Sequence, residues 1–162
     1  MGYTTEFDGA FVLDKPLAEN HKNYLVAFAN IRHMRRIPEL TATYPDPIRE
    51  AVGLDLGPHH CCYYVGNEFE HGHPSIIDYN AEPTGVPSLW CQWVPNDDGT
   101  AIEWDEGEKF YSYIEWIQYL ITHFLAPWGY KLNGKVIWQG EDMADRGKIE
   151  IAGNVVTVTK LE

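Results

Sequence analysis

Three strand–turn–strand patterns in the second half of the chain constrain the fold more than any other feature. The turns between the paired segments are residues 95–99, Asn133-Gly134 and residues 152–154. Asn-Gly between alternating apolar residues is the strongest short-range signal for a type I′ hairpin. Links this short join only antiparallel neighbours, so the sequence predicts a mostly antiparallel sheet. The predicted strand pairs are Leu89–Val94 with Thr100–Asp105, Tyr130–Leu132 with Lys135–Trp138, and Lys148–Ile151 with Val155–Thr159.

Two segments with helical spacing of apolar residues interrupt the strands. The first is predicted to start at Asp14–Leu17, with a proline in its first turn, and to end in the basic run Arg32–Arg36. The second is predicted at Phe110–Leu125, and further strands are expected at residues 3–13 and at Cys61–Val65. Together these elements predict an α+β fold, with a mostly antiparallel sheet of about six or seven strands and two helices packed on one face, a relative of the ferredoxin-like fold.

The length of 162 residues favours one domain, which we place at residues 1–160. The final Leu161-Glu162 is typical of an expression-tag remnant. Residues 66–88 form a long predicted irregular segment, and loops of this length in a small domain are often functional.

The charge balance narrows the class of partner. A net charge of −12 opposes direct binding to nucleic acid and to anionic membranes, and favours a basic protein partner. No segment approaches the ~20 apolar residues that span a bilayer, and the first residues lack a secretory signal. With only three cysteines, two of them adjacent, we expect a cytoplasmic protein without disulfides.

An acidic stretch follows the aromatic strand Leu89–Val94. Between Asp97 and Glu108 the chain has six acids and no base. This places negative charge beside large rings, which suits an interaction surface. The alternative interpretation is the solvated face of an antiparallel hairpin.

The aromatic strand and the segment from Trp138 to Glu141 supply the other candidate binding residues. Tryptophan next to glutamine and carboxylates can stack a planar ring and hydrogen-bond its edge, although bulky residues also build cores. The acids of the strand at Thr100–Asp105 share one face, where they could hold Mg²⁺. The predicted binding residues are Trp90, Gln92, Asp97, Asp98, Glu103, Asp105, Glu108, Trp138, Gln139 and Glu141.

Two further clusters remain open. The residues of the first are His59, His60, Cys61, Cys62, His71 and His73. These residue types can bind a metal, but their spacing is not that of a zinc site, so no metal is predicted. The alternative interpretation is that the two cysteines pack in the core. The basic cluster Arg32, His33, Arg35 and Arg36 could bind a phosphate-bearing ligand, pair with the acidic stretch across a homodimer, or end a helix with favourable charge.

Several motifs together resemble a family of small uncharacterised proteins of bacteria and phages. The motifs are Gly2–Gly9 with Asp14–Leu17, Leu89–Pro95 through Gly107–Tyr111, Pro127–Tyr130, Leu132–Gly134 and Trp138–Asp142. The resemblance covers nearly the whole chain but implies no activity, cofactor or catalytic residue. Residues 59–73 lie outside its pattern.

The function predicted from the sequence is a non-enzymatic acidic binding protein, encoded by a phage or mobile element, that contacts a basic protein. Nucleophile, phosphate-loop and dinucleotide motifs are absent from the sequence, so no catalytic residue and no cofactor are predicted. The alternatives are a small metal-dependent hydrolase of nucleotides or phosphate esters, and a module that sequesters a small molecule.

Overall fold

This computed structural model describes residues 2–66 and 73–162, which contain eight strands and four α-helices. The strands are β1 Glu6–Leu13, β2 Arg35–Arg36, β3 Ile76–Asp78, β4 Trp93–Pro95, β5 Ala101–Trp104, β6 Leu132–Gln139, β7 Arg146–Ala152 and β8 Val155–Lys160. The helices are α1 Glu19–Ala29, α2 Pro38–Thr41, α3 Pro47–Glu50 and α4 Tyr113–Leu120, which continues as a π-helical turn, Ile121–Leu125. The α+β class and the antiparallel sheet are confirmed.

The chain forms two units, Met1–Leu17 with Gln92–Glu162, and Ala18–Cys91. The first contains a six-stranded sheet in the order β4-β5-β1-β6-β7-β8, in which all neighbours are antiparallel. The second contains α1 to α3 and the two-stranded sheet β2–β3. The described residues thus form four helices where two were expected, and only α4 shares a unit with the large sheet. The single domain at residues 1–160 stays a prediction.

Alternation along the central strands of the six-stranded sheet separates a buried face from an open one. On β1, Phe11 and Leu13 are buried, whereas Val12 between them is 55% exposed. The buried face packs with α4, whose apolar stripe includes Trp116 and Ile117, both fully buried. Burial of such large side chains is the main stabilising contribution to this unit.

The predicted hairpin at Asn133-Gly134 is wrong. Strand β6 runs through both residues, and Gly134 pairs with Phe11 on β1. Glycine is required here because its φ is 130° and a Cβ would lie 3.0 Å from the carbonyl oxygen of Ala10. The side chain of Asn133 accepts a hydrogen bond from the backbone of Gly153 instead of closing a turn.

The predicted strand Cys61–Val65 is also wrong. His60 and Cys61 have φ values of 54° and 73°, which interrupt an extended backbone. The segment forms turns, in which the Tyr64 amide donates to the Cys61 carbonyl.

The first helix is shorter than predicted at both ends. It starts at Glu19 because the Leu17 amide donates to the Gly99 carbonyl, which holds residue 17 outside the helix. It ends at Ala29, and Arg35–Arg36 form β2 against β3, so the basic cluster does not cap a helix.

The second helix begins three residues later than predicted. Lys109 and Ser112 have left-handed φ values of 60° and 58°, which delay the first helical turn to Tyr113. Its predicted end at Leu125 is confirmed.

The other two predicted hairpins are confirmed, with altered bounds. Strands β4 and β5 pair with Trp93 opposite Trp104, and β7 and β8 pair with Ala152 opposite Val155.

Candidate functional site

The six acids from Asp97 to Glu108 lie on the β4–β5 hairpin and on the loop that follows β5. Glu103 is half-buried on β5, and the other five acidic residues are exposed. We call their carboxylates the acidic hairpin surface. Glu103, Asp105, Glu106 and Glu108 form no ion pair with any residue in the described ranges.

The tip of the hairpin is held by side chains rather than by backbone pairing alone. The amide oxygen of Asn96 accepts hydrogen bonds from the backbone of Thr100 and Ala101, at 2.9 and 3.0 Å. The Asp98 carboxylate accepts the Thr100 hydroxyl at 2.6 Å. These bonds set the direction in which the tip presents its charge.

A buried glutamine holds the loop after β5. The Gln92 amide nitrogen donates to the Glu108 carbonyl at 2.9 Å, and its oxygen accepts the Trp104 indole N–H at 3.3 Å. The Asp105 amide also donates to the Gln92 carbonyl at 2.9 Å. Gln92 therefore lies beneath the acidic hairpin surface and orders it.

The same loop contains strained backbone. Glu106, Lys109 and Ser112 all have φ between 58° and 69°, a region that costs a non-glycine residue about 1–2 kcal/mol. Such conformations persist where the surroundings enforce them. The hydrogen bond from Gln92 to the carbonyl of Glu108 supplies part of that enforcement.

One carboxyl of the acidic hairpin surface is electrostatically distinct. Although the Asp105 residue is exposed, partial burial of its carboxyl raises its pKa, and the hydrogen bond from the Gly107 amide, at 2.7 Å, partly offsets that shift.

The predicted binding residues at the end of β6 brace a turn. Trp138 is buried, and its indole donates to Asp145 at 3.0 Å. Asp145 also accepts the Tyr3 hydroxyl at 2.8 Å, and the bonds from Trp138 and Tyr3 lower the pKa of Asp145. Glu141 accepts the Thr4 amide, and Gln139 donates to backbone carbonyls of residues 140, 142 and 145. These side chains are engaged in fixing residues 139–145 to the N-terminal segment.

The ten predicted binding residues therefore fall into three sets. The acids and Gln92 form one set, and residues 138–141 form a second set with its own hydrogen bonds. The third is Trp90 alone, which belongs to the unit Ala18–Cys91, where its side chain is 41% exposed.

The histidine and cysteine cluster forms no metal centre within residues 2–66 and 73–162, where no three His, Cys, Asp or Glu side chains converge. His71 lies outside the described residues. Cys61 and Cys62 are buried, and burial raises the pKa of the Cys61 thiol.

The basic cluster has a different geometry from the one expected. Arg32 and Arg35 donate through Nε to the backbone carbonyls of Tyr79 and Glu82, at 2.9 and 3.0 Å. Arg36 is buried, donates to the Ser75 hydroxyl at 2.9 Å, and stacks on the ring of Tyr64. Sequence reasoning missed these partners because they lie 28 to 47 positions away, beyond any local signal.

No protein-family model, curated protein or solved structure matches this chain. Among the helices in the described part of the chain, none is long and apolar enough to cross a bilayer.

Proposed function

We propose that the protein is a non-enzymatic binding protein whose acidic hairpin surface docks on a basic protein. The observation that carries this proposal is a set of carboxylates on a hydrogen-bonded scaffold. Four of the six form no ion pair within the described residues.

Charge supports the proposal through the rate of association. A protein at −12 with acids concentrated on one hairpin attracts a positive surface from a distance and orients it before contact. Complementary charge of this kind raises association rates and selects against acidic partners.

The rigidity of the acidic hairpin surface also supports the proposal, because it reduces the conformational entropy lost on binding. A surface that is ordered before binding loses less conformational freedom on docking. Gln92 and Asn96 order the loop and the tip by hydrogen bonds to five backbone or side-chain groups, whether or not a partner is present.

The metal-dependent hydrolase gains no support from this geometry. It would need Glu103, Asp105 and Glu108 to converge on one ion, and no such group of three occurs in the described residues. A pocket lined by Gln92 and Trp138 is likewise unsupported, since each side chain is bonded within its own set.

We also propose that the unit with the six-stranded sheet is related to the ferredoxin-like fold. Strands β5 and β6 flank β1 and are joined through α4, which is the split β-α-β connection of ferredoxin-like folds. This connection supports a ferredoxin-like relationship for the sheet unit. An origin in a phage or mobile element, and a cytoplasmic location, rest on the sequence alone.

Capture of partners from a bacterial lysate tests the proposal. The immobilised protein should retain a basic protein at about 0.05 M salt and release it at about 0.5 M, because the screening length falls roughly threefold. A variant with a neutralised acidic hairpin surface should retain none. Its substitutions are Asp97→Asn, Glu103→Gln, Glu106→Gln and Glu108→Gln.

A matched control separates the hairpin from net charge. It neutralises four exposed acids elsewhere, so both variants go from −12 to −8. Its substitutions are Glu6→Gln, Asp8→Asn, Glu19→Gln and Glu115→Gln. Equal loss of the partner in both variants, or capture indifferent to salt, would contradict docking through the hairpin.

A further inference from the structure

The unit Ala18–Cys91 contains a cavity with a basic wall in an otherwise acidic chain. Its volume is about 230 Å³. The lining residues are Arg35, Arg36, Pro38, His60, Ile77, Pro83 and Thr84. Arginine, histidine and threonine supply hydrogen-bond donors, and none of the described lining side chains is a carboxylate.

Arg36 is fixed in place before any ligand arrives. Its side chain is buried, Nη1 donates to Ser75 Oγ at 2.9 Å, and its Cζ lies 4.7 Å from the centre of the Tyr64 ring. A guanidinium keeps its charge at every physiological pH and presents its donors in one plane. Arg36 therefore contributes to the cavity lining a residue whose charged group has a set orientation.

Arg35 adds a second, accessible charge. Its Nε donates to the Glu82 carbonyl at 3.0 Å, which positions an exposed guanidinium at the cavity. Two adjacent arginines on a strand normally point to opposite faces. Here the pairing of β2 with β3 shifts register between Arg35 and Arg36, and both residues line the same cavity.

Part of the remaining wall is apolar. Ile77 is 62% exposed, and Pro38 and Pro83 line the same cavity. A bare inorganic anion makes no use of such surface, whereas the organic part of an ester does.

The size limits the ligand. A water molecule takes about 30 Å³ in the liquid, so a cavity of 230 Å³ accommodates a phosphate group with a small organic substituent rather than a dinucleotide.

We propose that this cavity binds a small phosphate monoester, with the phosphate held by Arg35 and Arg36 and the organic group placed against Ile77, Pro38 and Pro83. Arginine recognises phosphate by paired, charge-assisted hydrogen bonds. The site is independent of the acidic hairpin surface and involves no covalent step.

Calorimetric titration of the full chain with phenyl phosphate, at constant ionic strength, tests the site. Binding of phenyl phosphate is expected to be tighter than that of inorganic phosphate, through the apolar wall. No binding of phenyl phosphate would overturn the proposal. Equal affinity for phenyl phosphate and inorganic phosphate would contradict the proposed contact between the organic group and the apolar residues.

Arg35→Gln and Arg32→Gln form a matched pair of variants. Each loses one charge and one bond from guanidinium Nε to a backbone carbonyl. Arg32→Gln also loses a bond to Asn80 and the stacking on Tyr79, but only Arg35 lines the cavity. Arg35→Gln should weaken phenyl phosphate at least about tenfold, the usual effect of losing a charged hydrogen bond, and Arg32→Gln less than about twofold. Equal weakening by both would overturn the proposal. Because Arg35 is exposed and Arg32 is half-buried, both variants should fold.

Discussion

The amide nitrogen of Gln92 lies 2.9 Å from the backbone carbonyl oxygen of Glu108 and donates a hydrogen bond to it. The bond joins the residue just before β4 to the end of the acidic stretch. A buried neutral side chain thus orders a run of exposed charges, which explains how like charges stay together on one hairpin.

Gln92→Met should destabilise the fold by about 1–3 kcal/mol, because it leaves the Glu108 carbonyl and the Trp104 indole without their partner. Urea denaturation measures the change. Hydrogen exchange should also accelerate at residues 105–109. The exposed Gln118→Met serves as the control and should change stability by less than about 0.5 kcal/mol. Unchanged exchange in the loop would contradict the ordering role of Gln92.

Asp145 should make stability depend on pH in the acid range. Hydrogen bonds from Trp138 and Tyr3 lower its pKa from the ordinary 3.8. A lowered carboxyl pKa stabilises the fold above 3.8, and this contribution is lost as pH falls through the lower folded pKa. Denaturation at a series of pH values should show a smaller loss in Asp145→Asn. A wild-type slope in Asp145→Asn would contradict this assignment.

His33 should make stability depend on pH in a higher window. It is buried and bonded to the Phe28 carbonyl, and burial together with the nearby charge of Arg36 lowers its pKa from 6.5 to about 4. As pH falls from 6.5, the unfolded chain takes up a proton first, so stability decreases until about pH 4 and then levels off.

The expected decrease from His33 is at most roughly 3 kcal/mol. Burial lowers the pKa of His21 as well, so that residue contributes with the same sign. Comparison with His33→Gln isolates the larger contribution. A slope between pH 6.5 and 4 that is identical in both proteins would exclude His33 as its source.

Gly9→Ala should destabilise the sheet strongly. The φ of Gly9 is 110°, and a Cβ there would lie 2.6 Å from the Lys135 carbonyl oxygen on β6. The expected loss is about 2–4 kcal/mol, from strain and displaced strands together. Gly153 also has a positive φ but open space around it, so Gly153→Ala should cost only about 1–2 kcal/mol. Equal losses in thermal denaturation would contradict the close approach of β1 and β6.

The sequence correctly predicted those elements that depend on residues close together along the chain. Gly153-Asn154 forms the turn between β7 and β8, and residues 113–125 of the predicted apolar stripe form α4 with its π-helical turn. Asn133-Gly134 was wrongly predicted to be a hairpin turn. Glycine is favoured both in hairpin turns and where two strands approach closely, and only the position of the neighbouring strand distinguishes the two cases.

The candidate sites show the same limit. The acids of the hairpin were visible in the sequence because they lie close together along the chain. The partners of Arg36 were not, since Ser75 lies 39 positions away. The hydrogen bond from Trp138 to Asp145, seven positions along the chain, was likewise not visible in the sequence.

The association rate with the captured basic partner tests the central claim most directly. At about 0.05 M salt, the hairpin-neutralised variant should associate at least about tenfold more slowly than the wild type, and the control with equal net charge less than about twofold. The three rates should converge at about 0.5 M salt, where screening removes the steering. Equal rates for the two variants at low salt would contradict docking through the acidic hairpin surface.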